Sequence, residues 1–293
     1  MKNPTHLLDV VLIIGVAITA CAPLASEPTA TLVPSITPAP TNTPEPTPTS
    51  VPTPTPLPTP TLVPTAIPPE ITDAKGVEMV LVPEGEFTMG SDDGDDDEPP
   101  AHQVFLDAYF IDKYEVTNTL YKVCVDDGIC EQPTDTDNYS NSQYAQHPVV
   151  YVDWNMAEVY CEWRSARLPT EAEWQKAAQG TDGRTYPWGD EESEITFANY
   201  SGSDTKEVGS YPKGVSPYGA YDMAGNVWEW VADWYDSYPG NTEINSHYGT
   251  SFRVSRGGSW LDSSHGVRSA NRLSLDPSFN KDIYGFRCSL SLP

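Results

Sequence analysis

The chain has 293 residues, and its 42 acidic residues against 16 Lys and Arg give a formal net charge of −26. This length allows one large domain or two small ones, so the composition of each segment has to decide between them. The negative charge argues against nucleic acid and anionic membrane surfaces as partners, and it suits cations, basic partners or solubility.

Residues 1–20 are typical of a lipoprotein signal peptide. A single Lys precedes an apolar run, and the segment ends Ile-Thr-Ala before Cys21, so a small residue stands directly before the cysteine. The run is too short to span a bilayer as a mature helix. We expect lipid on Cys21, an extracytoplasmic location, and attachment to the membrane through that lipid alone.

Residues 21–70 are predicted to be a stiff linker. The stretch 22–69 is almost entirely Pro, Thr, Ala, Val and Ser and carries sixteen of the 29 prolines. Such a composition has too little apolar surface to fold and favours polyproline II. At ~3.1 Å per residue it extends on the order of 150 Å, enough to hold a domain clear of a membrane surface.

Residues 71–293 are predicted to form a single globular domain that begins with short strands. Apolar and β-branched runs predict strands at Val77–Val82, Gly85–Gly90 and Gln103–Ile111. Between the last two lies the densest acidic run, Ser91–Glu98, which we expect to be a mobile loop at the surface.

Three short helices are predicted next. Thr117 can cap the first, which Gly128 ends. A second begins near Asn155, which has Glu158 at capping-box spacing, and a third follows the capping box that Thr170 opens and extends to Gly180. Beyond Gly180 the sequence predicts only short strands and loops.

Four cysteines remain once Cys21 is assigned to lipid. An even number outside the cytoplasm, with no Cys-x-x-Cys pair, favours two disulfides over a metal site. Cys124 and Cys130 are close enough to close a small loop, and Cys161 and Cys288 would then join the middle of the domain to its C-terminus.

The stretch Ser216–Tyr235 concentrates turn formers, aromatic residues and oxygen ligands. Gly225 and Asn226 suit a compact loop, and the alternation that follows predicts a strand with Trp228 and Trp230. The mixture of carboxylates and backbone carbonyls suits a hard cation such as Ca²⁺. A capped turn with its acids in water is the alternative, and spacing alone favours it.

A series of motifs across the domain resembles the sulfatase-modifying factor family, whose best-known members are the formylglycine-generating enzymes. The motifs run from VPEGEFTMGS and FIDKYEVTN through HPVVYVDWNMAEVYCEW, RLPTEAEWQKAA, YPWGD and SPYGAYDMAGNVWEW to SRGGSW and YGFRC. The resemblance covers about Val77 to Cys288. It implies an α+β, formylglycine-generating-enzyme-like elaborated C-type-lectin fold, loop-rich and low in regular secondary structure.

The resemblance also implies structural calcium sites and a disulfide. The first site would use the side chains of Asp222 and Glu229 with the carbonyls of Gly225 and Val227, so calcium becomes the favoured reading of this loop. The second would use Asn199, the carbonyl of Tyr200 and, as the best-placed acid, Asp204. A family disulfide falls on Cys161 and Cys288.

The main departure from the family follows Ser259. The family's enzymes use two thiolates to hold copper(I), and soft sulfur ligands select Cu(I). Here Asp262 stands at the first cysteine position, the second falls near His265 and Gly266, and no Cys occurs from 251 to 287. The chain therefore lacks both catalytic cysteines, copper is not expected, and formylglycine formation by the known mechanism is excluded, although Ser259 and Trp228 are kept.

Two functions stay open at this point. The first is a non-catalytic lectin-like module, a monomer whose groove near Ser259, Asp262, His265 and Arg268 binds a peptide, glycan or protein. The second is an oxidoreductase or oxygenase that uses an unrecognised metal site at Asp262 and His265, with Ser259 as a further catalytic candidate, although no third ligand is identifiable. We expect Arg268, Asn271, Arg272 and Arg287 to pair with buried acids rather than to act in catalysis.

Overall fold

A computed structural model describes residues 67–191 and 195–292. The predicted signal peptide, Cys21 and nearly all of the predicted linker lie outside the described residues. The fold described below is that of the compact unit Val63–Pro293, within its described residues.

The domain contains ten short strands, three α-helices and one 3₁₀ turn within the described residues. The strands are β1 (Glu70–Thr72), β2 (Glu78–Val82), β3 (Gly85–Met89), β4 (His102–Leu106), β5 (Tyr109–Asp112), β6 (Trp228–Trp234), β7 (Arg253–Arg256), β8 (Arg272–Leu275), β9 (Tyr284–Phe286) and β10 (Ser289–Ser291). The helices are α1 (Asn118–Asp126), α2 (Trp154–Trp163) and α3 (Glu171–Gln179), and the 3₁₀ turn is Ser142–Tyr144.

The strands form three sheets. An antiparallel sheet has the order β1-β2-β5-β10, and β3 pairs with β4 in a two-stranded ribbon. The third sheet has the order β8-β7-β6-β9, in which β6 runs parallel to β9 and antiparallel to β7. With few helices and sheets joined by long irregular segments, the fold is the loop-rich α+β class that the sequence predicts.

Two of the four apolar clusters among the described residues make up most of the interior. One surrounds Trp230, Tyr160 and Phe286 beside α1 and α2, and the other surrounds Trp174 and Val231 between α3 and the first sheet. Strand β6 contributes to both clusters because Trp230 and Val231 point to opposite faces of the strand. The predicted strand with Trp228 and Trp230 is present, and its first four residues are buried.

Both predicted disulfides are present. Cys124 is bonded to Cys130 at the end of α1, and Cys161 on α2 is bonded to Cys288 between β9 and β10. All four cysteines are buried. Every cysteine of the described residues is therefore engaged in a disulfide.

The helix predictions are right in number and differ at one cap. Thr117 accepts a hydrogen bond from the Leu120 amide, and Thr170 and Glu173 form the expected reciprocal capping box. Helix α2 is capped by Asp153, not by Asn155, because the extended Asp153 places its carboxylate against the Met156 amide. The capping-box assignment at Asn155 was therefore wrong.

The predicted strand Gln103–Ile111 is two strands in different sheets. The chain turns at Asp107 and Ala108, so β4 pairs with β3 while β5 enters the middle of the first sheet. All four residues of β5 are buried, whereas those of β4 alternate between half-buried and exposed. The two halves face different surroundings, which a single run of apolar letters does not reveal.

Candidate functional site

The loop before β6 is held in a tight conformation. Asp222, Gly225 and Asn226 all have positive φ, at 56°, 76° and 66°. A Cβ at Gly225 would lie 2.3 Å from the Asn199 carbonyl oxygen, so only glycine fits there. The Asn226 amide donates to that same carbonyl at 2.8 Å, which ties the loop to the 198–204 segment.

Glu229 at the end of this loop is fully buried and bound by a guanidinium. Arg287 donates to both carboxylate oxygens at 2.6 Å, and the Trp174 indole donates to Oε2 at 2.8 Å. The side chains of Glu229 and Arg287 are both 0% exposed. The expected pairing of Arg287 with a buried acid is confirmed.

Two further buried carboxylates lie beside this pair. Asp222 accepts a hydrogen bond from the Gly209 amide at 2.7 Å, and burial raises its pKa to about 6. Glu115, which sequence reasoning did not single out, bonds the Asn226 side chain and the Val227 amide. Burial first, then the charges of Asp222 and Glu229, raise the pKa of Glu115 well above its usual range.

This cluster carries an excess of acidic groups, although no group of three or more His, Cys, Asp or Glu side chains in the described residues is arranged to hold a metal ion. Three carboxylates face one guanidinium, which leaves two negative charges for protons or a cation to neutralise. Asp222 accepts the hydrogen bond of the Gly209 amide at Oδ2, and Glu229 Oε1 accepts from Arg287. Each carboxylate oxygen has two lone pairs. A cation held by Asp222, Glu229 and the carbonyls of Gly225 and Val227, as the resemblance implies, would have to take Glu229 from Arg287.

The second predicted calcium set is also engaged by the protein. The Asn199 amide donates to the Asp204 carbonyl at 3.0 Å and to Asn226 at 3.1 Å. The Asp204 carboxylate accepts from the Tyr144 hydroxyl at 2.6 Å on Oδ2 and from the Thr205 amide at 2.8 Å on Oδ1. A cation using Asn199, Asp204 and the Tyr200 carbonyl would share the carboxylate with these donors.

Asp262 is held by three donors at one oxygen. Its Oδ2 accepts from the Ser259 amide at 2.9 Å, the Ser259 hydroxyl at 2.6 Å and the Trp228 indole at 3.0 Å. Ser259 is fully buried and Trp228 is nearly so. The structure thus brings three of the predicted pocket residues together, with the carboxylate as their shared acceptor.

His265 is not joined to Asp262. Its side chain is 59% exposed, and its Nε2 lies 3.1 Å from Asp95 and 3.1 Å from Arg268 Nη2. Within 67–191 and 195–292, no group of three or more His, Cys, Asp or Glu side chains is arranged to hold a metal ion. The Asp262–His265 pair is therefore not assembled as a metal site.

The acidic run Ser91–Glu98 packs against the domain. Arg268 makes two bonds to Glu98, at 2.6 and 2.8 Å, and Asn271 donates to Asp95 at 3.0 Å. Glu98 is 0% exposed. The expectation of a mobile surface loop was wrong for this end of the run, because basic and amide side chains distant in sequence bind it.

Arg272 also pairs with a buried acid, as expected. It donates to both oxygens of Glu171 at 2.6 and 3.0 Å, and its guanidinium stacks on Tyr238. Glu171 lies in the first turn of α3, where a negative charge is favoured. The roles of Arg268, Asn271 and Arg272 are accounted for by these contacts.

A cavity of about 360 Å³ lies beside Arg268. Its lining combines both signs of charge with hydroxyl and amide groups, and includes Thr88, Asp92, Asp93, Gln179, Arg184 and Arg268. Arg268 is already paired with Glu98 and Arg184 with Asp182, at 2.6 Å in each case. The cavity therefore presents the carboxylates of Asp92 and Asp93 more freely than either guanidinium.

The described part of the chain has no helix with the length and apolar character needed to cross a membrane.

The sequence matches the model of the sulfatase-modifying factor enzyme 1-like domain over residues 65–292. Among its relatives is serine/threonine-protein kinase pkn1 of Chlamydia pneumoniae, 40% identical over 242 residues, which cover 73% of this chain. The match spans 38% of the kinase, so this chain corresponds to about two fifths of that protein's length.

Two further relatives match over most of their own length. The inactive Cα-formylglycine-generating enzyme 2 of Mus musculus is 31% identical over 76% of this chain and 88% of its own. The structure of PvdO from Pseudomonas aeruginosa superimposes with a TM-score of 0.66 at 31% identity, covering 78% of this chain and 100% of PvdO. These similarities agree with the fold and with the motif series.

Proposed function

This chain belongs to the sulfatase-modifying factor family, and from that premise we propose that it is an extracytoplasmic lipoprotein. We propose further that its domain binds a ligand and does not generate formylglycine. The observation that carries this proposal is the state of Asp262. Its carboxylate stands where the resemblance expects a catalytic cysteine, and Ser259 and Trp228 donate three hydrogen bonds to it. A residue held in this way stabilises the loop instead of reacting.

The cysteines of the domain support the same proposal. Copper-dependent chemistry needs free thiolates, and the four cysteines of the described residues are in two disulfides. Cys21, which lies outside the described residues, is expected to carry lipid. The relative at 31% identity over most of its length is itself named inactive.

The proposed ligand is a peptide, glycan or protein, and the proposed binding face is the cavity beside Arg268 with its acidic rim. Asp92 and Asp93 line it, and the chain as a whole has a net charge of −26. A ligand that presents a cation or hydrogen-bond donors suits this surface better than an anion does. The protein is proposed to act as a monomer.

Calcium is the proposed structural ion. The buried carboxylates of Asp222 and Glu229, which face one guanidinium, support it, because a cation would offset the cost of keeping Asp222 ionised in the interior. Its role would be to hold the 219–227 loop and the start of β6 together, remote from any reaction.

The test of the proposal is an activity assay with metal analysis. Purified protein, reconstituted with copper(I), is incubated with a cysteine-containing sulfatase peptide, and mass spectrometry looks for conversion of cysteine to formylglycine. We expect no conversion and no stoichiometric iron or copper. Multiple turnovers would overturn the binding-module proposal, and tightly bound redox-active metal lost in Asp262→Ala would favour the oxygenase alternative.

The location is tested separately with Cys21→Ser. Wild-type protein should incorporate labelled lipid and sediment with membranes, whereas the variant should lose the label and appear in the soluble fraction. Identical fractionation and labelling of the two proteins would refute the lipid anchor.

A further inference from the structure

Asp-Gly pairs occur at three places in the sequence, and their aspartates are Asp93, Asp127 and Asp182; the sequence has no Asn-Gly pair. An aspartate before glycine is prone to a spontaneous rearrangement, because glycine has no side chain to hinder attack of its amide nitrogen on the aspartate carboxyl group. The attack also requires that both reacting groups be free of hydrogen bonds. All three aspartates lie in turns within the described residues, so their surroundings can be compared.

The pair Asp127–Gly128 is held at both reacting groups. The Asp127 carboxylate accepts from the Trp163 indole at 3.1 Å and from the Lys75 ammonium at 3.4 Å. The Gly128 amide donates to the Val125 carbonyl at 2.9 Å, just after α1. Attack of the amide on the carboxyl group would have to break these bonds first.

The pair Asp182–Gly183 is held at the carboxylate. Arg184 donates to both oxygens of Asp182, at 2.8 and 2.6 Å. These hydrogen bonds lower the pKa of the Asp182 carboxyl group, so the group stays ionised. The rearrangement expels water from the neutral carboxyl group, and Arg184 therefore opposes it.

The pair Asp93–Gly94 has both reacting groups free. Asp93 is exposed, and no residue in the described ranges forms a hydrogen bond or ion pair with its carboxylate or accepts from the Gly94 amide. A Cβ at Gly94 would overlap the Glu98 carboxylate, which Arg268 binds at both oxygens. This contact requires glycine after the one aspartate of the three that is free to react.

We propose that Asp93 isomerises spontaneously to isoaspartate in the folded protein. The Gly94 amide nitrogen bonds to Cγ of Asp93, the nitrogen loses its proton, and a hydroxyl of the carboxyl group leaves as water, which gives a cyclic imide. Water then opens the ring at either carbonyl, so the products are aspartate and isoaspartate, and no oxidant or cofactor is consumed. In isoaspartate the main chain is one methylene longer, and the former main-chain carbonyl becomes the free carboxylate. Because Asp93 lines the cavity beside Arg268, the reaction moves a carboxylate at the rim of that cavity.

The experiment is to age the purified full chain near neutral pH in water enriched in oxygen-18, and to map its peptides by electron-transfer mass spectrometry, which distinguishes isoaspartate from aspartate. We expect isoaspartate carrying one heavy oxygen to form at Asp93 about tenfold or more faster than at Asp127 or Asp182, because each of these carboxylates must first lose a hydrogen bond to a charged group. The same chain unfolded in urea is the control, and there the three sites should react at comparable rates.

Two variants test the physical reasons. Asp93→Glu keeps the charge but would need a larger imide ring, which closes far more slowly, so the product at this position should disappear. Arg184→Gln frees the Asp182 carboxylate, so isoaspartate at Asp182 should rise towards the level at Asp93, while the rate at Asp93 stays the same.

Three results would overturn the proposal. They are equal rates at the three sites of the folded protein, no product at Asp93 under conditions in which the urea-unfolded chain reacts, and an unchanged rate at Asp182 in Arg184→Gln. If Arg184→Gln does not fold, the comparison of the folded and unfolded wild-type chain decides. The reaction needs no ligand, so it can be refuted independently of the proposed binding function.

Discussion

Replacement of Asp262 tests whether this residue is a structural acceptor. In Asp262→Ala, the Ser259 amide, the Ser259 hydroxyl and the Trp228 indole all lose their acceptor. Each buried unpaired donor costs roughly 1–3 kcal/mol, and because Asp262 is only half-buried, water can restore part of this. We expect a loss of about 2–5 kcal/mol in the free energy of unfolding.

Asp262→Asn separates the hydrogen bonds from the charge. The amide oxygen can take the place of Oδ2 and keep all three donors, so the change is from charged to neutral hydrogen bonds. That difference is about 1–2 kcal/mol in total, because partial exposure weakens the charge contribution. The asparagine variant should therefore be clearly more stable than the alanine variant.

The assay is urea unfolding followed by tryptophan fluorescence, with Asp282→Ala as the control. Asp282 is an exposed acid on the same side of the domain, and its loss should change stability by no more than about 0.5 kcal/mol. Equal, near-zero effects in Asp262→Ala and Asp262→Asn would refute the reasoning. They would mean that the carboxylate is free for a ligand or a metal.

Three further predictions concern charge, ion and disulfide. Burial raises the pKa of Asp233 from 3.8 to about 6, so as pH rises Asp233 loses its proton first in the unfolded chain, and the free energy of unfolding falls through this window. By urea unfolding, Asp233→Asn should be up to about 3 kcal/mol more stable than wild type at pH 7.5 and no more stable at pH 3.5. EDTA should lower the melting temperature by several degrees, because calcium at a hundredfold excess over Kd contributes about 2.7 kcal/mol to stability. In Asp222→Asn the melting temperature measured by scanning calorimetry should not respond to EDTA. Equal EDTA effects in the two proteins would exclude Asp222 as a ligand. Replacing Cys161 and Cys288 together by Ala should lower the free energy of unfolding by up to about 4–5 kcal/mol, because the disulfide closes a loop of 127 residues. Denaturant unfolding measures this loss, and an unchanged midpoint would mean that the disulfide does not constrain the unfolded chain.

Much of the local structure could be predicted because it depends on neighbours in sequence. The capping box from Thr170 to Glu173 involves residues three apart, and Gly225 takes the positive φ that a tight loop needs. The division of Gln103–Ile111 into two strands was missed, since Asp107 is the one turn-forming residue there and neither Gly nor Pro stands beside it. There the partners of each strand decided the outcome, and they lie elsewhere in the chain.

The candidate site was predictable in its residues but not in its pairings. The sequence indicated that the late arginines neutralise buried acids, yet Arg268 and its partner Glu98 are 170 residues apart. Spacing cannot identify such a pair, and the same dense acidic letters are typical of an exposed loop. Glu115 was missed for a related reason, since one acid in a strand-to-helix connection gives no sign that Asp222 and Glu229 lie beside it.

The side chain of Asp262 fits the donors around it, and replacing this one residue by cysteine would not create a pair of thiolates. A carboxylate oxygen is a strong acceptor, whereas a sulfur atom is a weak one, so Asp262→Cys would leave the donors of Ser259 and Trp228 poorly satisfied. The second cysteine position is also changed, because His265 there is exposed and bound to Asp95. Restoring a pair of thiolates would require changes at both positions and in the contact with the 91–98 loop. At the position where the resemblance expects a catalytic cysteine, the described residues therefore hold a polar network around Asp262.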